Sequence, residues 1–318
     1  MSKKVFLSRI IPKPGMDLLK NSEFEVEILY KEKPLSPDKL RKKVKDISGL
    51  ICLLDDKIDK ELIDAAENLE VISNMAVGYN NIDIEYARSK GIAVCNTPGI
   101  LSQSTAELAW ALLFAIARRI PESDTFMREG KFTGWMPMLM LGGDISEQTL
   151  GVIGTGRIGT AFALMSKGFN MRVLYSGKPN PRLDKELNAE NVDQDTLIRE
   201  SDFISLHIPM RSENRHLIGA RELNMMKSTA YLINTARGPV VDEKELIAAL
   251  KEKRIAGAAL DVYENEPALT PGLLELDNVV LTPHTGSATV PVRNRLAVMA
   301  VENCLKILRK QDCENRIV

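Results

Sequence analysis

Residues 149–159, TLGVIGTGRIG, run from an apolar stretch into three glycines at Gly154, Gly156 and Gly159. A GxGxxG alone is a weak signal. One that closes a strand and opens a helix is much stronger, because each glycine then has a physical task. Gly154 permits a tight turn, Gly156 lets the backbone approach a pyrophosphate, and Gly159 lets the helix pack closely on the strand. Backbone N–H groups along Thr155, Arg157 and Ile158, where the helix starts, then face the phosphates. The stretch reads as a dinucleotide-binding turn.

Outward from this turn the pattern continues. TLGVIG is followed by MRVLY, DFISLHIP, AYLINTA, IAGAALDV and NVVLTP, with helical segments such as RIGTAFALMSKGF and DEKELIAALKEKR between them. Upstream, KVFLS, FEVEILY, GLICLL, LEVISNMA and GIAVCN form a second series of short apolar runs. Apolar runs alternating with helical stretches mark β/α units around parallel sheets. The fold class is therefore α/β, with two doubly wound parallel-sheet domains of Rossmann and flavodoxin-like type. The helical periodicity of VRNRLAVMAVENCLKILRK after the last strand makes the first domain discontinuous. We place residues 1–100 and 287–318 in a substrate (catalytic) domain and 101–286 in the dinucleotide-binding domain.

At 318 residues the chain is long enough for two cores, and its 44% hydrophobic and 27% charged residues fit a globular protein. A net charge of −1 gives no basic field for nucleic acid. AELAWALLFAIA (106–117) is shorter than the roughly 20 residues of a membrane span. Ser104 and Glu107 at capping-box spacing and Pro121 beyond the run predict a helix over 104–119, apolar enough to be buried on all sides. The apolar run in MSKKVFLSRIIPKPG is too short for the signal peptide pattern, so none is expected, and Cys52, Cys95, Cys304 and Cys313 show no CxxC spacing. They read as reduced thiols of a cytoplasmic protein, with no metal framework and no membrane partner.

Three residues make a reaction. His284 in LTPHTGSAT, Arg237 in INTARGPVVD and Glu266 in LDVYENEP each follow a separate strand end. Sites of open α/β sheets gather at such ends. An arginine grips a carboxylate bidentately and polarises the neighbouring ketone. A histidine exchanges a proton with the ketone oxygen as hydride is transferred. A carboxylate beside an imidazole favours its protonated form and orients it. Each residue alone is more often a surface charge, a solvated turn or a loop cap, and spacing does not prove that they meet. Together they point to hydride transfer between a dinucleotide and a small 2-keto or 2-hydroxy acid.

These stretches resemble the D-isomer-specific 2-hydroxyacid dehydrogenases over nearly the whole chain: VGYNNID at 77–83, NTPG at 96–99, the 104–119 helix, GTGRIG, HIP at 207–209, NTARG at 234–238, LDVYENEP at 260–267 and PHTGSAT at 283–289. Within that family the chain looks most like the glyoxylate/hydroxypyruvate reductases, through NMAVGYNNID and GWMPMLMLGG. The resemblance implies that Arg237, Glu266 and His284 are catalytic. It places the Val77 and Gly78 amides on the substrate carboxylate and Leu53 on an apolar wall. Thr105, Asp261 and Gly286, with Thr235 and Ala236 of NTARG, fall around the coenzyme. His207 and Pro209 fall on its adenosine side, and His216 reads as a solvated residue in a polar helical stretch. It also implies a homodimer through the coenzyme domain, with GWMPMLMLGG reaching towards the partner.

Three departures qualify the likeness. Asn80 stands where several relatives have Asp, and Leu139 where some hydroxypyruvate-preferring relatives carry Trp; the extra C-terminal regulatory domain of many phosphoglycerate dehydrogenases is not expected here. A 2-ketogluconate or broad 2-ketoacid reductase is the alternative enzyme. A dinucleotide-sensing corepressor is the alternative binding protein, since fold does not fix function.

The coenzyme type turns on MRVLYSGKPNP, residues 171–181. The family's acidic residue for the ribose hydroxyls falls at Gly177 here. Glycine removes the repulsion of a 2′-phosphate, Ser176 can donate to it, and Lys178 supplies positive charge, with Arg157 and Arg182 behind. NADP(H) is therefore expected to be preferred, with NAD(H) possible.

Overall fold

The computed structural model describes residues 3–318. Two compact units emerge, one made of the chain up to Leu101 together with Ser287–Val318, the other of Ser102–Gly286.

The first unit is built on β1 (Lys4–Leu7), β2 (Glu25–Ile28), β3 (Gly49–Cys52), β4 (Val71–Asn74) and β5 (Ala93–Cys95). All pair in parallel, in the order β2-β1-β3-β4-β5. β3 and β4 are buried at every position, which is why β3 reads as an unbroken apolar run and β4 opens as one before buried Ser73 and Asn74. The C-terminal helix Val290–Leu308 packs on this sheet. A Cβ on Gly15 would lie 2.7 Å from Ala297 Cβ, and one on Gly49 would lie 2.7 Å from Cys304 Sγ. Both helix contacts therefore depend on the missing side chain.

The second unit carries β6 (Thr149–Ile153), β7 (Arg172–Ser176), β8 (Glu190–Asn191), β9 (Phe203–Leu206), β10 (Tyr231–Asn234), β11 (Gly257–Leu260) and β12 (Val279–Leu281). They too are all parallel, in the order β12-β11-β10-β9-β6-β7-β8. Strand order reverses between β6 and β9, so the glycine turn after β6 sits at a topological switch point. β8 consists of two exposed residues with no apolar signal, and periodicity gives no sign of it.

The apolar helix differs from its expected form. It spans Ser102–Ala117, so Ser104 is buried inside its first turn and does not cap it. Pro121 lies in the first turn of a second helix, Ile120–Arg128. The apolar helix is not covered on every side within the chain, because Glu107 and Ala111 are exposed. Its inner face is anchored by Trp110, whose ring lies 5.1 Å from Phe162 and whose Nε1 donates to Phe162 O at 2.9 Å. Among the described residues no helix is long and apolar enough to cross a membrane. The four cysteines are unpaired, and Cys313 alone is not buried.

Candidate active site

The glycine turn has a closed side and an open side. Gly154 has φ +94, and a Cβ there would lie 2.5 Å from Ile208 Cγ2 and 2.8 Å from His207 O. A Cβ on Gly159 would lie 1.9 Å from Gly154 O, whereas one on Gly156 would meet nothing within 4 Å. Protein thus fills the space behind the turn and leaves the space in front free. Helix Arg157–Met165 starts at Gly156 with no side-chain cap, so its first N–H groups remain for an anion. The geometry fits a diphosphate.

Ser176, Gly177 and Lys178 follow at the end of β7. Gly177 has φ +127, a conformation that a residue with a Cβ adopts only under strain. Thr155 Oγ1 donates to Lys178 O at 3.3 Å, tying this loop to the glycine turn. Arg157, Gly177 and Lys178 are exposed, while Arg182 is engaged by Glu186 at 2.8 Å.

At the ends of β10, β11 and β12 the structure brings the three reactive candidates onto adjacent loops. His284 Nδ1 is 2.8 Å from Glu266 Oε2, and Glu266 Oε1 accepts from Tyr263 N–H at 2.9 Å. Burial pulls the Glu266 carboxyl upward. The hydrogen bond and charge of His284, the Tyr263 N–H and the Arg237 charge together outweigh it, so the group sits below the usual glutamate value. Burial lowers the Arg237 guanidinium from its ordinary value, and the nearby Glu266 charge opposes that shift. A Cβ on Gly238 would lie 1.9 Å from Tyr263 C, so glycine there permits the Arg237 and Glu266 loops to touch.

Asp261, buried at 1% exposure, holds the loop that carries His284. Its Oδ1 accepts from Thr282 Oγ1 at 2.7 Å, Thr285 N–H at 2.7 Å and Thr285 Oγ1 at 3.1 Å; Oδ2 accepts from Gly286 N–H at 2.8 Å. Thr105 Oγ1 donates to Gly286 O at 3.2 Å, so Thr105, Asp261 and Gly286 form one cluster. His284 is held at φ +53, a left-handed conformation maintained by its surroundings. Thr235 and Ala236 are buried beside Arg237, and Thr235 Oγ1 has no hydrogen-bond partner among the described residues.

His207 follows β9 with its ring 4.8 Å from Phe162 and its Nε2 2.9 Å from Ser205 Oγ. Burial pushes it down to about 3, so it is neutral and no proton donor at ordinary pH. Pro209 is exposed two residues further on. His216 departs from the sequence expectation. It lies outside any helix at φ +51 and is paired with Glu264 at 2.7 Å and Asp242 at 3.3 Å. In the other unit, Leu53 follows β3 and Val77–Gly78 follow β4, all partly exposed.

A groove of about 550 Å³ lies elsewhere, lined by Arg119, Glu122, Tyr231, Asn278 and Val279. Tyr231 and Val279 open their strands, so it is at the opposite end of the sheet from Arg237 and His284.

Residues 110–286 match the family described as D-isomer specific 2-hydroxyacid dehydrogenase, NAD binding domain. The glyoxylate reductase of Thermococcus litoralis is 48% identical over 96% of this chain and 93% of its own. The chain belongs to the D-isomer-specific 2-hydroxyacid dehydrogenases. A glyoxylate reductase of Pyrococcus horikoshii is 47% identical over 97% of this chain and 94% of its own. The crystal structure of a Thermus thermophilus protein superposes with a TM-score of 0.93 at 40% identity, covering 99% of this chain and 100% of that one. The NADPH-dependent glyoxylate/hydroxypyruvate reductase of Sinorhizobium meliloti, solved with NADP and malonate, gives 0.88 at 28% identity, over 100% and 97%.

As a member of this family the protein is an NAD(P)-dependent 2-hydroxyacid dehydrogenase, an oxidoreductase acting on small hydroxy or keto acids with a nicotinamide dinucleotide. For this dehydrogenase, sequence reasoning missed the residues that shape its loops. Asn234 accepts from Ala236 N–H and donates to Arg237 O, both at 3.0 Å. Tyr263 Oη donates to Thr282 O at 2.8 Å. Asn234 had a readable signal, since an asparagine at a strand end favours a turn closed by its own side chain. Tyr263 had none, because its partner is 19 residues away.

Proposed function

We propose that this dehydrogenase reduces glyoxylate and hydroxypyruvate to glycolate and D-glycerate, with NADPH as the preferred coenzyme. The observation that carries the chemistry is the His284 Nδ1 to Glu266 Oε2 hydrogen bond of 2.8 Å, on loops next to the one that holds Arg237. A ring that donates from Nδ1 to a carboxylate has a fixed tautomer and orientation, and Nε2 is left to serve the substrate. When bound, the reduced nicotinamide would provide the hydride for the carbonyl carbon next to the carboxylate. In the second unit Arg237 would bind the substrate carboxylate; in the first unit the Val77 and Gly78 amides and the apolar Leu53 are the proposed substrate contacts. His284 Nε2 gives its proton to the carbonyl oxygen as charge develops there. Glu266 keeps the imidazole oriented throughout.

The glycine turn at Gly154, Thr155, Gly156, Arg157, Ile158 and Gly159 would hold the diphosphate, with His207 and Pro209 beside the adenosine. Thr105, Thr235, Ala236, Asp261 and Gly286 would surround the nicotinamide. Preference for NADPH is supported by Gly177 in place of an acid, by half-buried Ser176 before it and by exposed Lys178 and Arg157. The names of the relatives support the substrate. Exposed Trp135 and Met138, at 84% and 76%, support a homodimer in which the 134–143 segment is covered.

The test is a panel of glyoxylate, hydroxypyruvate, pyruvate and 2-ketogluconate with both reduced coenzymes. We expect the highest kcat/KM for the first two with NADPH, and its loss in His284→Ala. Faster turnover of pyruvate or 2-ketogluconate overturns the substrate. No turnover on any 2-keto acid overturns the catalytic reading.

A further inference from the structure

In the first unit, two loops are tied to one buried relay of amides. Asn74, the last residue of β4, is 0% exposed. Its Nδ2 donates to Gly78 O at 2.9 Å and to Asn81 Oδ1 at 3.2 Å. Asn81 Nδ2 in turn donates to Leu53 O at 3.1 Å and Asp56 O at 3.0 Å, bridging both ends of the turn after β3. The same turn is pinned from the residue after β1, because Asp56 Oδ2 accepts from Ser8 Oγ at 2.5 Å, and it is closed within itself by Leu53 N–H on the same oxygen at 2.9 Å. A buried side-chain amide costs stability unless its hydrogen bonds are made; here three of the four are made to loop backbone and the fourth joins the two amides.

The consequence is a fixed set of peptide planes. Ala76 O accepts from Thr97 N–H at 2.9 Å, Val77 O from Asn96 Nδ2 at 2.8 Å, and Gly78 O from Asn74 Nδ2 at 2.9 Å. In a trans peptide the following N–H points opposite to the carbonyl. The N–H groups of Val77, Gly78 and Tyr79 are thus each turned away from their anchor, three consecutive donors with their reverse sides held by protein. Consecutive backbone donors of this kind receive anions.

We propose that Asn74, acting with Asn81 and Asn96, is a positioning residue for the substrate carboxylate. It fixes loop 76–79 so that its amides meet the anion, and through Asn81 it couples that loop to the Leu53 wall. The proposal rests on the substrate-binding roles given above to Leu53, Val77 and Gly78. A residue in this role affects recognition of the carboxylate and leaves coenzyme binding unaltered.

The experiment compares wild type with Asn74→Ala, measuring steady-state kinetics with glyoxylate and NADPH. Calorimetric titration of the coenzyme-saturated protein with oxalate, a carboxylate probe that needs no turnover, runs beside it. Loss of two amide bonds should raise the glyoxylate KM about tenfold or more and weaken oxalate by a similar factor. The kcat should stay within about threefold and the NADPH KM within about twofold, since neither the proton donor nor the diphosphate turn is touched. Unchanged KM and oxalate affinity overturn the proposal, as does a loss spread equally over kcat and the NADPH KM. If wild type turns over no glyoxylate, the substrate reading fails by itself, and the oxalate arm still decides the role of Asn74. Should Asn74→Ala lose its melting transition, Asn81→Ala takes its place: a KM rise of about threefold supports the coupling, and no change overturns it.

Discussion

Asp261→Asn isolates what holds His284 in place. The carboxylate accepts four hydrogen bonds, three at Oδ1 and one at Oδ2. An amide of the same shape has one oxygen and one NH2. Turned one way, the NH2 meets the Gly286 N–H; turned the other, it meets the Thr285 N–H. At least one backbone donor is left facing a donor in a site that is 1% exposed. Losing one bond to a charged acceptor costs about 1.5–3 kcal/mol. At about 2–4 °C per kcal/mol for a unit of this size, the melting temperature should fall by about 3–12 °C. The left-handed His284 backbone, φ +53, depends on this loop, so its ring should be misplaced. Given the proposed catalytic role, kcat should fall about 10–100-fold, the scale of a 1 Å misplacement. Scanning calorimetry and initial rates with NADPH read the two effects. A kcat within about threefold of wild type, accompanied by the expected loss of stability, would refute the claim that Asp261 positions His284.

Lys178→Ala should raise the KM for NADPH about tenfold, as one lost charge contact in a largely aqueous dielectric allows, and leave that for NADH unchanged; equal effects would count against a 2′-phosphate contact. Gly238→Ala places a Cβ 1.9 Å from Tyr263 C and must push the Arg237 and Glu266 loops apart. A loss of about 1–3 kcal/mol in urea unfolding and a drop in kcat are expected, and a variant as stable and active as wild type would show that the loops need no such contact. His207 is depressed from 6.5 to about 3 by burial, so between those values the unfolded chain binds a proton that the folded chain does not. Its contribution is complete above about pH 6.5 and is lost as pH falls, with a slope of up to about 1.4 kcal/mol per pH unit. Urea unfolding at about pH 7.5 and about pH 5.5, on either side of the unfolded value, should therefore show a larger drop for wild type than for His207→Gln. Parallel drops would mean that the ring is not held neutral.

Much of the fold was legible because parallel strands buried on both faces announce themselves as apolar runs. β3, β4, β9 and β11 are buried at every position; β3 and β11 read as such runs, whereas buried Ser73 and Asn74 in β4 and Ser205 in β9 interrupt theirs. Exposed, two-residue β8 has no such signature. Ser104 and Glu107 imitate a capping box, but spacing alone does not tell a cap from a buried first turn, and tertiary packing decides between them. His216 is misread from sequence because its partners Asp242 and Glu264 lie 26 and 48 residues away.

Periodicity, composition and motif were enough for the α/β class, the glycine turn, the missing acid at Gly177 and the reactive types at 237, 266 and 284. These are local facts, each written within one short segment. Which groups touch emerged from the folded chain alone: His284 with Glu266, Asp261 beneath the 282–286 loop, Gly238 against Tyr263, and Asn74 with Gly78 and Asn81. Except for Asn74, whose partners lie 4 and 7 residues on in its own loop, such contacts join loops brought together by neighbouring strands of a parallel sheet. Residues far apart in the chain become neighbours there, and nothing in either segment alone names its partner.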